Sequence, residues 1–311
     1  MPKVLTLPWL PGILLLLLFF SPCRVAAQEL EPRAYSPSPV GVNFVVIGFT
    51  RSTGSVTFDP TIPITDVDAH LNIPTIGIGH TFGFWSRQAL VTAGLPYVWG
   101  DLEGKVAEQQ TRITRSGLAD LRLKLSVNLY GNPARTPQEF ARSRRRGFLV
   151  GTSLTVQAPI GQYDPAKLIN LGTNRWAFKP EIGISYPWKK FDLDLYGGAW
   201  FFTENSRFYT GQSVRTQDPI TTLQGHVSYT IRRQMWFAVD GTWYQGGAGY
   251  VNGGLPSTSQ SNTRFGATLS LPLSKRQSLK VAYSAGATAR TGSNFDTLGV
   301  AWQFVWFGLR P

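Results

Sequence analysis

From Leu121 to Tyr130 the chain reads Leu-Arg-Leu-Lys-Leu-Ser-Val-Asn-Leu-Tyr, alternating with period two throughout. Leu121, Leu123, Leu125, Val127 and Leu129 fall on one side; Arg122, Lys124, Ser126 and Asn128 fall on the other. Helical spacing would scatter these residues around a cylinder, whereas an extended strand separates them cleanly. The same split opposes Trp176, Phe178, Ile182, Ile184 and Tyr186 to Arg175, Lys179, Glu181 and Ser185. It opposes Phe191, Leu193 and Leu195 to Asp192 and Asp194, and Phe265, Leu269 and Leu271 to Arg264, Thr268 and Ser270. Leu279, Val281 and Tyr283 oppose Lys280 and Ser284 in the same way. A tilted strand needs roughly 10 residues to cross the hydrocarbon of a bilayer, and these segments have that length.

By this criterion the chain holds about 12 strands: 41–50, 73–82, 88–99, 119–130, 147–158, 175–186, 191–202, 220–231, 235–246, 262–271, 278–289 and 296–306. Long connections at 51–72, 100–118, 159–174, 203–219 and 247–261 alternate with short ones at 83–87, 187–190, 232–234 and 272–277. That rhythm is expected of an all-β fold, a transmembrane antiparallel up-and-down β-barrel with short periplasmic turns and longer external loops. An even strand count places both termini in the periplasm. The exception is 131–146, where Thr136-Pro137-Gln138-Glu139 predicts the capped start of a brief helix. Aromatic residues gather near strand ends, among them Tyr97, Trp99, Trp188, Trp200, Trp243 and Trp302, where barrels carry their interfacial girdles. Phe304-Val305-Trp306-Phe307 resembles the aromatic C-terminal signal that barrel assembly machinery reads, followed by a tail at 308–311.

The N-terminus predicts export. Lys3, an apolar run from Gly12 to Phe20 and Val25-Ala26-Ala27 compose a signal peptide over 1–27, cleaved before Gln28. The run is too short for a membrane helix, which needs about 20 residues. Cleavage removes the only cysteine, so the mature chain forms no disulfide. It retains 28 basic and 18 acidic side chains. The whole excess lies on the side of the short connections, at Arg135, Arg142, Arg144, Arg145 and Arg146 of 131–146 and at Lys189, Lys190, Arg232, Arg233, Lys275 and Arg276, against Glu139. That placement suits a rim facing anionic headgroups and, in an exported chain, points away from nucleic acid. With 15% charged residues, no long apolar run after residue 20 and regular alternation, the expected location is the outer membrane of a Gram-negative cell, among its lipids.

Nothing in the sequence predicts a cofactor. Three histidines and no mature cysteine leave little for a metal site, and neither a nucleophile elbow nor a phosphate loop occurs. One pair merits weighing as enzyme machinery. If the short turn at 232–234 centres near Arg233, His226 lies across from Asp240, within cross-strand reach. A His-Asp pair can orient a base, yet no nucleophile accompanies it, so a hydrogen-bonded structural pair is the expectation and catalytic residues are set at none. A barrel enzyme of lipase or protease type and a purely structural barrel stand as alternatives. The inward face collects Arg122, Lys124, Arg175, Lys179, Glu181, Asp192, Asp194, Tyr196, Trp200, His226, Trp236, Asp240, Arg264 and Lys280. Such mixed charge lines a wet pathway or holds a plug. A bore of about 12 strands, between a filled barrel and a porin, suits a narrow passive conduit. Glu29 to Pro39, rich in proline and carrying Glu31, Arg33 and Tyr35, cannot be a regular strand; it is either a lumen plug or a periplasmic tail within 28–40, before a barrel spanning 41–307.

Four stretches carry a family resemblance: ELEPRAYSPSPVGVNF from Glu29, GLADLRLKLSVNLYG from Gly117, GQYDPAKLINLGTNRWAFKPEIG from Gly161 and QDPITTLQGHVSYT from Gln217. In these the chain resembles the outer-membrane family of meta-pathway phenol-degradation proteins, commonly described as transporters. The resemblance implies a barrel and passage of small aromatic or other hydrophobic solutes. It supplies no catalytic residue and leaves the solute, its direction and the oligomeric state open.

Overall fold

The computed structural model describes residues 30–57, 64–106, 109–143, 147–167, 169–288 and 292–308. The leader read over 1–27, Arg144 to Arg146 and the tail past residue 308 lie outside these. In chain order the strands are β1 (Val42–Thr57), β2 (Ile64–Phe84), β3 (Arg87–Val106), β4 (Gln109–Leu118) and β5 (Leu121–Tyr130). A short helix, α1 (Pro137–Arg142), precedes β6 (Leu149–Ala158), β7 (Ala177–Trp188) and β8 (Phe191–Phe202). Then come β9 (Asn205–Phe208), β10 (Ser213–Gln217), β11 (Ile220–Arg232), β12 (Met235–Gly246) and β13 (Gly249–Val251). The chain closes with β14 (Gln260–Pro272), β15 (Gln277–Thr288) and β16 (Gly292–Phe307).

Twelve of these form a closed antiparallel ring: β1, β2, β3, β5, β6, β7, β8, β11, β12, β14, β15 and β16, with β16 paired back onto β1. Closure runs the full length of both end strands, from Val42 opposite Phe307 to Thr57 opposite Gly292. Every ring strand is long enough to cross a bilayer, since 10 residues at about 3.3 Å each, tilted near 45°, cover the roughly 25 Å apolar band of such barrels. Among the described residues no helix is long and apolar enough to cross a membrane.

Side-chain polarity is inverted relative to a water-soluble fold. Outward positions are large and apolar, such as Ile78 (58% exposed), Val239 (52%) and Ile182 (57%). Inward positions are polar and buried, with Arg264 and Asp240 each 1% exposed and Lys179 2%. So much apolar surface facing outward on every strand requires an apolar solvent.

Where 51–72 and 100–118 were expected as connections, the ladder continues instead. β1, β2 and β3 extend beyond membrane length, and β4 prolongs the line of β5 along β3. The break between β4 and β5 falls beside Pro96, whose carbonyl accepts from Ala119 N at 3.0 Å and which has no N–H to offer a neighbour. In this projecting part the inward face turns apolar: Val67, Ala69, Leu102 and Phe295 form a small core joined by Val56, Leu71 and Ile113. A three-stranded sheet of β9, β10 and β13 stands in the connections read as 203–219 and 247–261.

The opposite end carries the start of β1, the end of β16 and the tight turns. Trp85 and Ser86 both adopt positive φ between Phe84 and Arg87, and Lys189 and Gln234 do the same in their turns. The long connection here holds α1, begun by a reciprocal cap in which Thr136 Oγ1 accepts from Glu139 N and Glu139 accepts from Thr136 N at 2.8 Å. It is tied to the barrel by Ala134 N donating to Ser86 O and to the N-terminal segment by Val40 N donating to Arg135 O.

Candidate functional site

The lumen is the site, and residues 30–40 run inside it. Tyr35 is 2% exposed, its ring seated on two glycines of the wall. A Cβ at Gly151 would come within 2.2 Å of Tyr35 Cδ1, and one at Gly183 within 2.3 Å of Tyr35 Cε2, so both positions must lack a side chain for the ring to sit there. The phenol oxygen donates to Glu181 Oε1 at 3.0 Å and bonds Ser153 Oγ at 3.1 Å. Tyr196 stands edge-on to Tyr35 at 5.1 Å between centroids and accepts from Ala34 N.

Arg33 anchors the segment a second time. Its guanidinium pairs with Asp192 at 2.6 Å, donates to Thr230 Oγ1 at 2.7 Å and covers the Trp236 ring at 4.8 Å, while its backbone N donates to Asp194. Glu31 pairs with Lys124 on β5. Ser38 N donates to Gln88, which also accepts from Asn128 and Asn132. The segment is thus held on the β6–β12 side of the wall through Arg33, Ala34 and Tyr35, and on β2, β3 and β5 through Glu31, the Tyr35 carbonyl, Ser38 and Pro39.

Two cavities flank it. The larger, about 1400 Å³, opens at the tight-turn end and reaches inward past Arg33 to Phe44, Val46 and Lys124. The smaller, about 230 Å³, adjoins it beyond Glu31 and is lined by Gly77, Gly94, Arg122, Lys124 and Thr155. Gly94 has nothing within 4 Å of the place its Cβ would take, so it leaves open lumen.

The inward residues read from the sequence fall into four groups. Lys179 and Glu181 are an ion pair at 3.1 Å, each side chain 2% exposed, with Lys179 also 5.5 Å over Trp200. His226 stands opposite Asp240 in the β11–β12 register, Nδ1 2.7 Å from Oδ1, with Thr268 donating to the other carboxylate oxygen. Tyr196 packs 5.0 Å from the imidazole, and Asp194 lies opposite His226 on its other side. Lys124, Asp192 and Asp194 hold the N-terminal segment, and Trp236 lies under Arg33 with Lys280 at 5.7 Å. The remaining three, Arg122, Arg175 and Arg264, are apart from one another. Arg264 donates to Ser284 O and Phe295 O at the projecting end, and Arg175 bonds Gln217 and covers Phe202 at 4.4 Å.

Sequence reading missed two groups. Gln88, Asn128 and Asn132 grip the N-terminal segment, and the only trace was that Asn128 lies on the polar face of its strand. Asp120 organises the other end, accepting from Gln157, from Gly161 N, and from both the backbone and hydroxyl of Thr173. Its loop is finished by Asp164, whose carboxyl is held below the ordinary range by Lys167 and by Ala166 N. Gly161 and Gly172 pack backbone to backbone there, with 2.6 Å left for a Cβ.

A closed ring with an apolar exterior, a polar interior and residues 30–40 folded into the bore defines an outer-membrane-type β-barrel. The family described as "Putative MetA-pathway of phenol degradation" matches residues 48–304, and the chain belongs to it. No curated protein matches the sequence. Among solved structures, an outer membrane channel from Pseudomonas putida F1 is similar at TM-score 0.72 and 19% identity, covering 89% of this chain and 100% of that one. The β domain of the Bordetella autotransporter BrkA is similar at TM-score 0.51 and 13% identity, covering 86% and 100%. At such identities the likeness is one of fold.

Proposed function

We propose that this chain is a passive channel of the Gram-negative outer membrane for small hydrophobic or aromatic compounds. The observation that carries it is the pair of adjoining cavities beside the N-terminal segment, where Phe44, Val46 and Trp236 offer apolar contact within a polar bore. The family and the channel-like fold support the reading. The tight-turn end, with both termini, faces the periplasm in this reading, and residues 30–40 act as a plug that narrows the path to the side of β1, β2, β3 and β5. The inward residues Arg122 and Lys124 then border the pathway, while Lys179, Glu181, His226 and Asp240 brace the wall behind the plug.

Enzymatic chemistry is not part of the proposal. His226 and Asp240 side chains are fully buried, and His226 Nε2 has no hydrogen-bond partner among the described residues, so the base faces no nucleophile. The test is flux. After subtraction of flux into protein-free vesicles, proteoliposomes of the wild type should admit benzyl alcohol faster than erythritol, a polyol of similar mass, and deletion of residues 30–39 should raise single-channel conductance severalfold while the barrel stays folded. Equal flux of both solutes and unchanged conductance would overturn the reading.

A further inference from the structure

The larger cavity has an uneven charge. Among the described residues its walls carry two carboxylates, Glu31 and Asp192, which pair with Lys124 and Arg33. The other cations around it are supplied from three different turns and one strand. Lys189 and Lys190 lean to the outer surface, lying 5.2 Å from the Trp188 ring and 5.9 Å from the Tyr229 ring. Arg233, Lys275, Arg276 and Lys280 line the same space, so among the described residues its cations outnumber its two carboxylates. Lys280 sits deepest of these, directly across the β14–β15 ladder from inward Ser270 and close to Trp236.

A cation group of this kind around an apolar floor is two-sided. Phe44, Val46 and Trp236 favour a ring or a short chain, and the surrounding ammonium and guanidinium groups favour a negative end. Neutral hydrocarbons would use only the floor, and small inorganic anions only the rim. We propose that the tight-turn vestibule is a binding site for amphipathic organic monoanions, a carboxylate joined to a ring or short chain, with the carboxylate held among Lys275, Arg276 and Lys280 and the apolar part against Trp236. Within the channel reading on which this rests, the solute class is then organic acids rather than hydrocarbons. Positive potential in a low-dielectric bore concentrates such anions at the mouth.

The experiment uses the full mature protein in planar bilayers of zwitterionic lipid, with solute added to the side of the tight turns. Three probes are compared as blockers of the ionic current: 3-phenylpropanoate, 3-phenylpropanol and acetate. 3-Phenylpropanoate should block at least about tenfold more tightly than either of the others, roughly the gain from one added charge-assisted contact. The triple variant Lys275→Gln, Arg276→Gln, Lys280→Gln should lose that advantage while its blockade by the alcohol changes less than about twofold. Trp236→Ala should weaken both ring-bearing probes. Equal blockade by acid and alcohol, or a triple variant indistinguishable from wild type, overturns the inference and leaves the channel reading intact. Absence of any ionic current in both the wild type and the plug deletion would instead bring down the channel reading itself.

Discussion

Lys179 and Glu181 sit two residues apart on one strand, both inward, and each is the other's counter-charge in a space that water barely reaches. Glu181 also receives Tyr35 and, at 3.4 Å, Gln224, so one carboxylate joins wall, neighbour and plug. Glu181→Ala strands a buried ammonium and should cost about 3 kcal/mol. It would be read as a lower temperature at which the folded band converts to the unfolded one on a gel. Glu181→Gln keeps an acceptor for Tyr35 and should lie between the two. Asp240→Ala should destabilise similarly by exposing the His226 ring to an unfilled site, while leaving solute flux unchanged, because that pair braces the wall behind Tyr196. A loss of flux greater than the loss of folded protein would count against a purely structural pair.

At the scale of the element, the N-terminal segment is held by shape as much as by charge. Gly151 and Gly183 are the socket of Tyr35, so Gly183→Val should expel the ring and open the bore as the deletion does, although no hydrogen-bonding group is removed. Conductance of Gly183→Val equal to wild type would show that the segment relaxes around the methyl groups. Helix α1 gives a pH signature of its own. The Glu139 carboxyl is held below its ordinary value by Thr136 N first and then the Thr136 hydroxyl. Its cap is therefore fully present above the usual carboxylate pKa and is lost as pH falls through the lowered one. Protection of the Glu139 amide relative to its intrinsic exchange rate should fall across that acidic window, and Glu139→Gln should abolish the dependence.

The whole molecule shows why the ring strands could be read and the rest could not. Period two fixes strands wherever one face meets lipid, and each of the ranges read from the sequence overlaps one ring strand, with ends off by no more than a few residues on the membrane side. Beyond the bilayer the period persists but the sides exchange polarity: on β2, Thr81, Gly79 and Gly77 face inward in the membrane, and further along the same face bears Leu71, Ala69 and Val67, while Asp68 and His70 turn outward. Alternation of membrane length stops at that exchange, which is why the projections have the sequence signature of loops. The lumen was legible as a list of polar residues, and His226 with Asp240 as a pair, because cross-strand register is local. The seating of Tyr35 was not, since residues 116 to 161 positions apart in sequence meet there only once the ring is closed. Net charge behaves as a whole-molecule property too. Removing the rim cations at Arg232, Arg233, Lys275 and Arg276 should shift the reversal potential in a salt gradient toward cation selectivity, and an unshifted potential would place the selectivity deeper in the bore.

The seam between β1 and β16 also constrains how such a molecule comes into being. Its partners are the first and last strands of the chain, more than 200 residues apart at every rung. Hairpins elsewhere can form as soon as their two strands exist, but this contact carries the largest loop-closure cost in the fold and waits for the final residues. Until then both outer strands present bare edges and the apolar face of every strand has no lipid to meet, the state most prone to intermolecular pairing. Closure of this seam therefore comes late, and the residues just ahead of β1 reach the bore either before it or through the mouth at the tight-turn end.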